Sequence, residues 1–189
     1  ANKINEAELP ALSQNGLVSD SELLIRALSE VHPGLLRHRT TEEIEEDFQL
    51  FRGRYQAAAS RSEAWLAVQE LLAFVRCEHT QALYNQGPIL NAMLHEQGSF
   101  LPVTTKVKDG AMVVVADGTT NAILPPGSRI LSIDGQPTDG LLGQVASFVE
   151  TDGPSPTNRD SKLSVRGYPF RFDHFDILLP LLLPAEDTR

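Results

Sequence analysis

The chain has 189 residues, 41% hydrophobic and 22% charged, which is ordinary for a globular protein of one large or two small domains. Its net charge of −9 argues against nucleic-acid binding, because phosphate recognition depends on Lys and Arg. Cys77 is the only cysteine, so an internal disulfide is excluded, and the longest apolar run, residues 177–183, is too short to span a membrane.

Three amphipathic helices are predicted after a polar lead-in. A capping box, in which Ser or Thr is followed three residues later by Glu, is expected to open each of them. The three pairs are Ser19 with Glu22, Thr40 with Glu43, and Ser60 with Glu63. Apolar residues spaced three and four apart then give each helix one buried face, and Pro33-Gly34 ends the first. A short extended piece over 80–84 and a helix over 88–95 are predicted to follow.

The pattern changes near Gly98. Residues 101–108 alternate as a half-buried strand does, Asp109-Gly110 indicates a hairpin, and a second strand follows at 112–115. Asp117-Gly118 marks another turn.

A further strand is expected over 129–133, followed by an Asp134-Gly135 turn and a helix capped by Thr138 or Asp139. Residues 152–158 are predicted to form a loop. The last apolar segment, 170–183, is predicted to be helical up to Pro180.

This order of elements predicts an α+β fold. It consists of an N-terminal helical bundle followed by a small β-barrel or sheet module with one or two helices. The predicted domains are a flexible lead-in at 1–15, a helical domain at 16–97, the sheet module at 98–168, and a C-terminal helix and tail at 169–189.

The segment from Ile123 to Pro137, ILPPGSRILSIDGQP, resembles the PDZ signature, in which a Pro-Gly turn precedes a buried strand and a tight Asp-Gly turn. Gly127 and Gly135 permit positive φ at these turns. The apolar residues between them, Ile130, Leu131 and Ile133, are expected to fill the core of the module.

Other segments resemble the N-terminal region of bacterial C-terminal processing (tail-specific) serine peptidases, including tricorn-core-like members. They are His32-Pro33-Gly34-Leu35, Arg76-Cys77-Glu78-His79-Thr80, Phe100-Leu101-Pro102 and Thr151-Asp152-Gly153. The resemblance implies a periplasmic or extracellular protein in which these domains precede an α/β catalytic domain with a serine nucleophile and usually a lysine base. This chain has Glu78 where relatives often have Gly, and it ends at Arg189, roughly where the catalytic domain would begin.

No catalytic residue is predicted within the chain itself. A Ser-Lys dyad needs a desolvated lysine, and the four lysines, at 3, 106, 108 and 162, lie in polar, turn or loop-adjacent segments. There is no Gly-x-Ser-x-Gly motif either. The chain alone is therefore expected to be inactive, with its missing catalytic domain as one partner.

The PDZ-like module is expected to bind the C-terminal tail of a protein substrate by strand addition. The resemblance places the carboxylate at Gly98, Ser99, Phe100 and Leu101, with Leu142 and Val145 on the helix that walls the groove. Alternatively, the module is a degenerate PDZ core that only supports a catalytic domain, or the protein is a stand-alone peptide-binding adaptor. A hydrolase built on Cys77 and His79 is the least favoured hypothesis. No cofactor or metal is expected, because the five histidines show no ligand spacing.

Overall fold

The structure, a computed structural model, describes residues 11–82, 101–164 and 174–183. The chain divides into two compact units. The helical unit comprises residues 1–93 together with 150–154, and the sheet unit comprises residues 94–149 together with 155–189.

The helical unit is built on three helices: α1 (Gln14–Val31), α2 (Thr41–Gln56) and α3 (Arg61–Val75). Helix α2 packs against both α1 and α3. The apolar residues of the three helices meet in one core, because each helix buries its stripe only against a neighbour. That core contains Ile25, Leu28, Ile44, Phe48, Phe51, Ala67, Leu71, Leu72 and Val75. The predicted face of α1 is only partly confirmed, since Leu23 and Val31 are 54% and 76% exposed.

Two of the three predicted helix starts are confirmed. Thr40 and Glu43 form a complete capping box, and the Ser60 side chain accepts from the Glu63 amide. The start predicted at Ser19 is wrong, because α1 begins at Gln14 with Ser13 as its N-cap. Leu17, which is buried, extends the apolar face of α1 by one turn toward the N-terminus.

Hydrogen bonds join residues 150–154 to the helical unit. The Gln69 side chain donates from Nε2 to Oε2 of Glu150 at 3.2 Å, and these residues are 0% and 1% exposed. The Gly153 amide donates to the Arg76 carbonyl at 3.1 Å. Gly153 has a φ of +70°, and a Cβ atom there would lie 3.3 Å from the His38 ring. Only glycine fits this position without displacing the imidazole.

The sheet unit contains two small antiparallel sheets. The first has the order β1-β2-β3, and the second pairs β4 with β5. Their bounds are Val103–Lys108 (β1), Ala111–Asp117 (β2), Arg129–Ile130 (β3), Ser132–Ile133 (β4) and Gln136–Pro137 (β5). The α+β class is thus confirmed, and the described strands do not close into a barrel.

Three helices complete the described part of the sheet unit: α4 (Thr138–Ala146), α5 (Pro156–Leu163) and α6 (His174–Leu182). Helix α4 packs against α6 and β2, whereas α5 packs along β1. Their common core includes Met112, Val114, Leu141, Val145, Phe175, Ile177 and Leu178. Among the helices that the structure describes, none has the length and apolar content needed to span a bilayer.

The predicted turns are confirmed by their backbone geometry. Asp109-Gly110 and Asp134-Gly135 have positive φ at both residues, as tight two-residue hairpins require. At the turn that begins at Asp117, the Asp117 carboxylate accepts from the amides of Thr119 and Leu124, both at 2.8 Å. These local hydrogen bonds are the reason that Asp favours turns.

The strand predicted over 129–133 is interrupted. Residues on either side of Leu131 belong to different sheets, and Leu131 is 72% exposed rather than part of the core. The expected side-chain cap of the next helix is also wrong, because Pro137 is the N-cap and makes no side-chain hydrogen bond.

Two further expectations about helices are corrected. The loop predicted over 152–158 contains the start of α5, where Pro156 stands in the first turn with its φ already helical. Helix α6 continues past Pro180 to Leu182, because the buried residues of 175–179 hold it in the core. The helix predicted over 88–95 and most of the extended piece over 80–84 lie outside the described residues.

Replacing Thr40 by Ala removes the side-chain acceptor for the Glu43 amide, and we expect a loss of about 1 kcal/mol in the free energy of unfolding. The measurement is urea denaturation followed by circular dichroism. Thr41→Ala, at the exposed first helical residue, is the matched control and should change little. Equal effects of the two variants would contradict the capping role.

Helices α1 and α2 are joined by Arg52 and Glu22, whose Nε and Oε1 atoms are 2.7 Å apart. This hydrogen bond from Arg52 holds the pKa of the Glu22 carboxyl below its ordinary value. Because the pKa is lowered on folding, the contact stabilises the fold above the ordinary carboxyl pKa. That contribution is lost as the pH falls through the lowered pKa.

We expect an NMR titration of the Glu22 carboxyl carbon to have a midpoint below the ordinary glutamate value, and Arg52→Gln to move the midpoint back up. Arg26→Gln, at an exposed position of α1, is the control. A Glu22 midpoint that Arg52→Gln leaves unchanged would show that Arg52 is not the cause.

Candidate functional site

Strand β1 forms an edge of the three-stranded sheet, since it pairs only with β2 among the described strands. In an antiparallel pair, alternate residues turn their backbone groups toward the partner. The Pro102 carbonyl accepts from the Gly118 amide at 2.8 Å, so even-numbered residues of this segment face β2. The backbone groups of Val103, Thr105 and Val107 therefore point away from the sheet.

A β-bulge lies in the partner strand and not in β1. Thr104 is paired with Ala116 and Thr105 with Val114, so Val115 is the extra residue of β2. A bulge bends the strand that carries it and leaves the alternation of its partner regular. Strand β1 thus keeps one uninterrupted outer edge from Val103 to Val107.

Helix α5 lies along this outer edge and contacts it through Ser164. The Val107 amide donates to the Ser164 hydroxyl oxygen at 3.0 Å, and that hydroxyl donates to the Asp160 carbonyl at 2.8 Å. Ser164 follows the last residue of α5 and is buried. One hydroxyl thereby satisfies an edge amide and a carbonyl of the last helical turn.

A cleft of about 680 Å³ opens between the strand and the helix. Residues 104–109 and Val115 line its sheet side, while Thr157, Asp160, Ser161 and Ser164 line its helix side. Two of the four lysines in the chain, Lys106 and Lys108, belong to this lining and are exposed. The lining also contains Asp109 and Asp160, so the cleft combines an edge strand with two charged groups of each sign.

Thr105 has an unusual environment within the cleft lining. It is 1% exposed, and its hydroxyl oxygen has no hydrogen-bond partner among the described residues. A buried hydroxyl without a partner is costly and calls for an explanation, such as a ligand group or a functional role. Thr105 lies on the buried face of β1 with Val103 and Val107, so its hydroxyl is inaccessible to solvent.

Of the residues predicted to bind a peptide, the structure describes Leu101, Leu142 and Val145. Gly98, Ser99 and Phe100 lie outside the described residues, and Leu101 is half-buried just before β1. On α4, Leu142 and Val145 are 6% and 0% exposed and do not line the cleft. The sequence did not predict α5, whose one local signal is Ser155 followed by Pro156 at a helix start.

The surroundings of Cys77 and His79 fit a structural role and not a catalytic one. Cys77 is half-buried against the helical core, whereas His79 is exposed. His32 forms a hydrogen bond to Thr80 in this loop, with Nε2 and Oγ1 2.9 Å apart. A cysteine nucleophile first requires a hydrogen bond to a base. In the described part of the chain, Cys77 forms no hydrogen bond to a histidine. Nor do three His, Cys, Asp or Glu side chains converge there in a way that could hold a metal ion.

Comparison of the chain with known protein families, with curated proteins and with solved structures found no match. The chemistry of the cleft, together with the resemblance seen in the sequence, is therefore the basis for inferring a function.

Replacing Thr105 by Val removes the buried hydroxyl while keeping the side-chain shape. We expect the free energy of unfolding to rise by about 1 kcal/mol, since the cost of an unsatisfied polar group disappears. Thr104→Val, at a half-buried position of the same strand, is the control and should change stability less. Chemical denaturation measures both, and a destabilised Thr105→Val protein would show that the hydroxyl is bonded in solution.

Proposed function

We propose that the sheet unit binds an extended peptide in the cleft between β1 and α5. We further propose that the chain is the non-catalytic N-terminal part of a serine peptidase that hydrolyses peptide bonds in protein substrates. The observation that carries the first proposal is the cleft of about 680 Å³ between β1 and α5, with Lys106 and Lys108 exposed in its lining. The second rests on the resemblance of the sequence to tail-specific peptidases.

Strand addition is the binding mode that suits this edge. The backbone groups of Val103 and Thr105 point away from β2, but these two residues are 6% and 1% exposed. Pairing with a peptide therefore requires the groups that cover them to move aside. An extended peptide would then exchange backbone hydrogen bonds with each, which gives affinity without requiring a particular peptide sequence.

Two lysines in the cleft can pair with a peptide carboxylate. Lys106 and Lys108 are exposed in the lining, which also contains Asp109 and Asp160 and is therefore formally neutral. Each lysine attracts a carboxylate over a range set by salt screening. The C-terminal tail of a protein has such a carboxylate, and the sequence resemblance proposes that the loop ending at Leu101 binds it.

In the peptidase, this module would hold the tail of a substrate while a separate catalytic domain cleaves it. By the same resemblance, the protein would be periplasmic or extracellular. Leu142 and Val145 would support the module from its core instead of touching the peptide, given their burial.

The second candidate function is a stand-alone peptide-binding adaptor, which the same cleft serves equally well. The native reading frame beyond Arg189 separates the two. A catalytic domain encoded there would support the peptidase, and a stop codon would leave the adaptor.

Tail binding is tested with a fluorescent peptide that ends in a free carboxylate and its amidated twin. Loss of a charge-assisted contact, worth about 1.5 kcal/mol or more, predicts about tenfold weaker binding of the amidated peptide. Anisotropy titrations at low and physiological salt give both affinities, and the difference should shrink as salt rises. Equal affinity for the twins would remove tail recognition, and no binding of either would remove the peptide-binding proposal.

A further inference from the structure

We propose that helix α1 pairs with α1 of a second copy of the chain, in an antiparallel arrangement centred on Ala27. The surface that forms the contact is the α1 outer stripe, which consists of Leu23, Ala27 and Val31. This stripe belongs to the helical unit, whereas the peptide cleft belongs to the sheet unit. The two surfaces therefore act independently of each other.

The α1 outer stripe is apolar and uncovered. Its residues recur at every fourth position, which places their side chains on one side of the helix. Leu23 and Val31 are 54% and 76% exposed, and Ala27 is exposed as well. Beside the stripe, Leu24 is half-buried against the helical core, so the apolar arc of α1 continues outward from that core. Adjoining apolar side chains left in solvent mark a surface for protein–protein contact.

The spacing of the stripe fits a contact with two-fold symmetry. Leu23 and Val31 stand four residues to either side of Ala27. In an antiparallel pair centred on Ala27, each Leu23 therefore meets Val31 of the other copy. The two small Ala27 side chains meet at the symmetry axis, where they let the helix backbones approach closely. A contact of this isologous kind uses the same patch on both copies and closes at a dimer.

The charged residues beside the stripe favour the antiparallel orientation. Arg26 and Glu30 are exposed on the same flank of α1, and neither forms an ion pair with another described residue. An antiparallel two-fold contact brings the same flank of both helices together, so Arg26 of each copy lies beside Glu30 of the other. The contact thus gains two pairs of opposite charge.

The remaining acidic residues of α1 lie outside the contact. Glu22 is turned toward α2, where it bonds to Arg52. Asp20 shares the side of the stripe, but it would lie beyond the C-terminal end of the other α1, at the rim of the contact and in solvent. Neither carboxylate is therefore buried by dimer formation.

The contact is short, and we expect a weak dimer. The stripe from Leu23 to Val31 covers about 12 Å of helix at about 1.5 Å per residue. Stable complexes commonly bury about 1,200 Å² or more, which a contact of two to three helical turns does not reach. The net charge of −9 on each copy also opposes association. We expect a dissociation constant of roughly 10–100 µM.

Sedimentation velocity of the whole chain, over concentrations that bracket this constant, measures the association. Ala27→Lys places two ammonium groups at the symmetry axis and should weaken the dimer by about tenfold or more. The matched control is Val18→Lys, because Val18 is 40% exposed and lies about two and a half turns from Ala27, on the opposite side of α1. Equal effects of the two lysines would overturn the proposal. So would a wild-type chain that stays monomeric throughout, which would leave a different partner for the stripe.

Charge reversal tests the antiparallel orientation. Arg26→Glu and Glu30→Arg each place like charges across the contact, and we expect either variant alone to associate several-fold more weakly. An equal mixture of the two restores opposite charges at both pairs and should form a heterodimer at least as strong as the wild-type dimer. Circular dichroism checks that both variants keep the wild-type helix content, as exposed positions allow. A mixture that associates no better than either variant alone would overturn the antiparallel contact.

Discussion

The hydrogen bond from the Val107 amide to the Ser164 hydroxyl holds helix α5 along the edge of the sheet. An edge strand has backbone groups that must find partners, and here a serine at a helix end supplies one of them. Because the contact lies near one end of β1, strand and helix meet there and a cleft opens between them.

A different constraint organises the helical unit. Glu150 is a carboxylate with 1% exposure, and burial of such a group is tolerated only when hydrogen bonds compensate it. Gln69 supplies one of them, and the backbone contact of Gly153 to Arg76 follows three residues later. Residues 150–154 lie between α4 and α5 in the sequence, yet these contacts make them part of the helical unit. The helix that lines the cleft, α5, thus begins two residues after this segment.

Features with local causes could be read from the sequence. The Thr40–Glu43 capping box and the Asp109-Gly110 hairpin each depend on a few adjacent residues, and both are present as predicted. Leu131 was misplaced because apolar character does not reveal that the strand is interrupted at that residue. Helix α6 passes through Pro180 because tertiary burial outweighs the cost of a missing amide.

The candidate site was harder to predict than the fold, because it joins distant residues. Ser164 and Val107 are 57 positions apart, and nothing in either local sequence indicates that they meet. Helix α5 itself has a polar, weakly helical sequence within a Gly- and Pro-containing stretch, so its packing on β1 decides its conformation. The unpartnered Thr105 hydroxyl is likewise visible only once burial is known.

The edge of β1 also bears on how this chain behaves at high concentration. Regular, uncovered edges invite pairing between copies, the first step of fibril growth, and proteins commonly block them with lysines or a covering element. Both devices are present: Lys106 and Lys108 are exposed on β1, and α5 packs along the strand and bonds to the Val107 amide through Ser164. The outward-facing residues Val103 and Thr105 are themselves 6% and 1% exposed, which leaves little of the edge open to a second copy. Helix α5 therefore acts as a guard against self-association as well as a wall of the cleft.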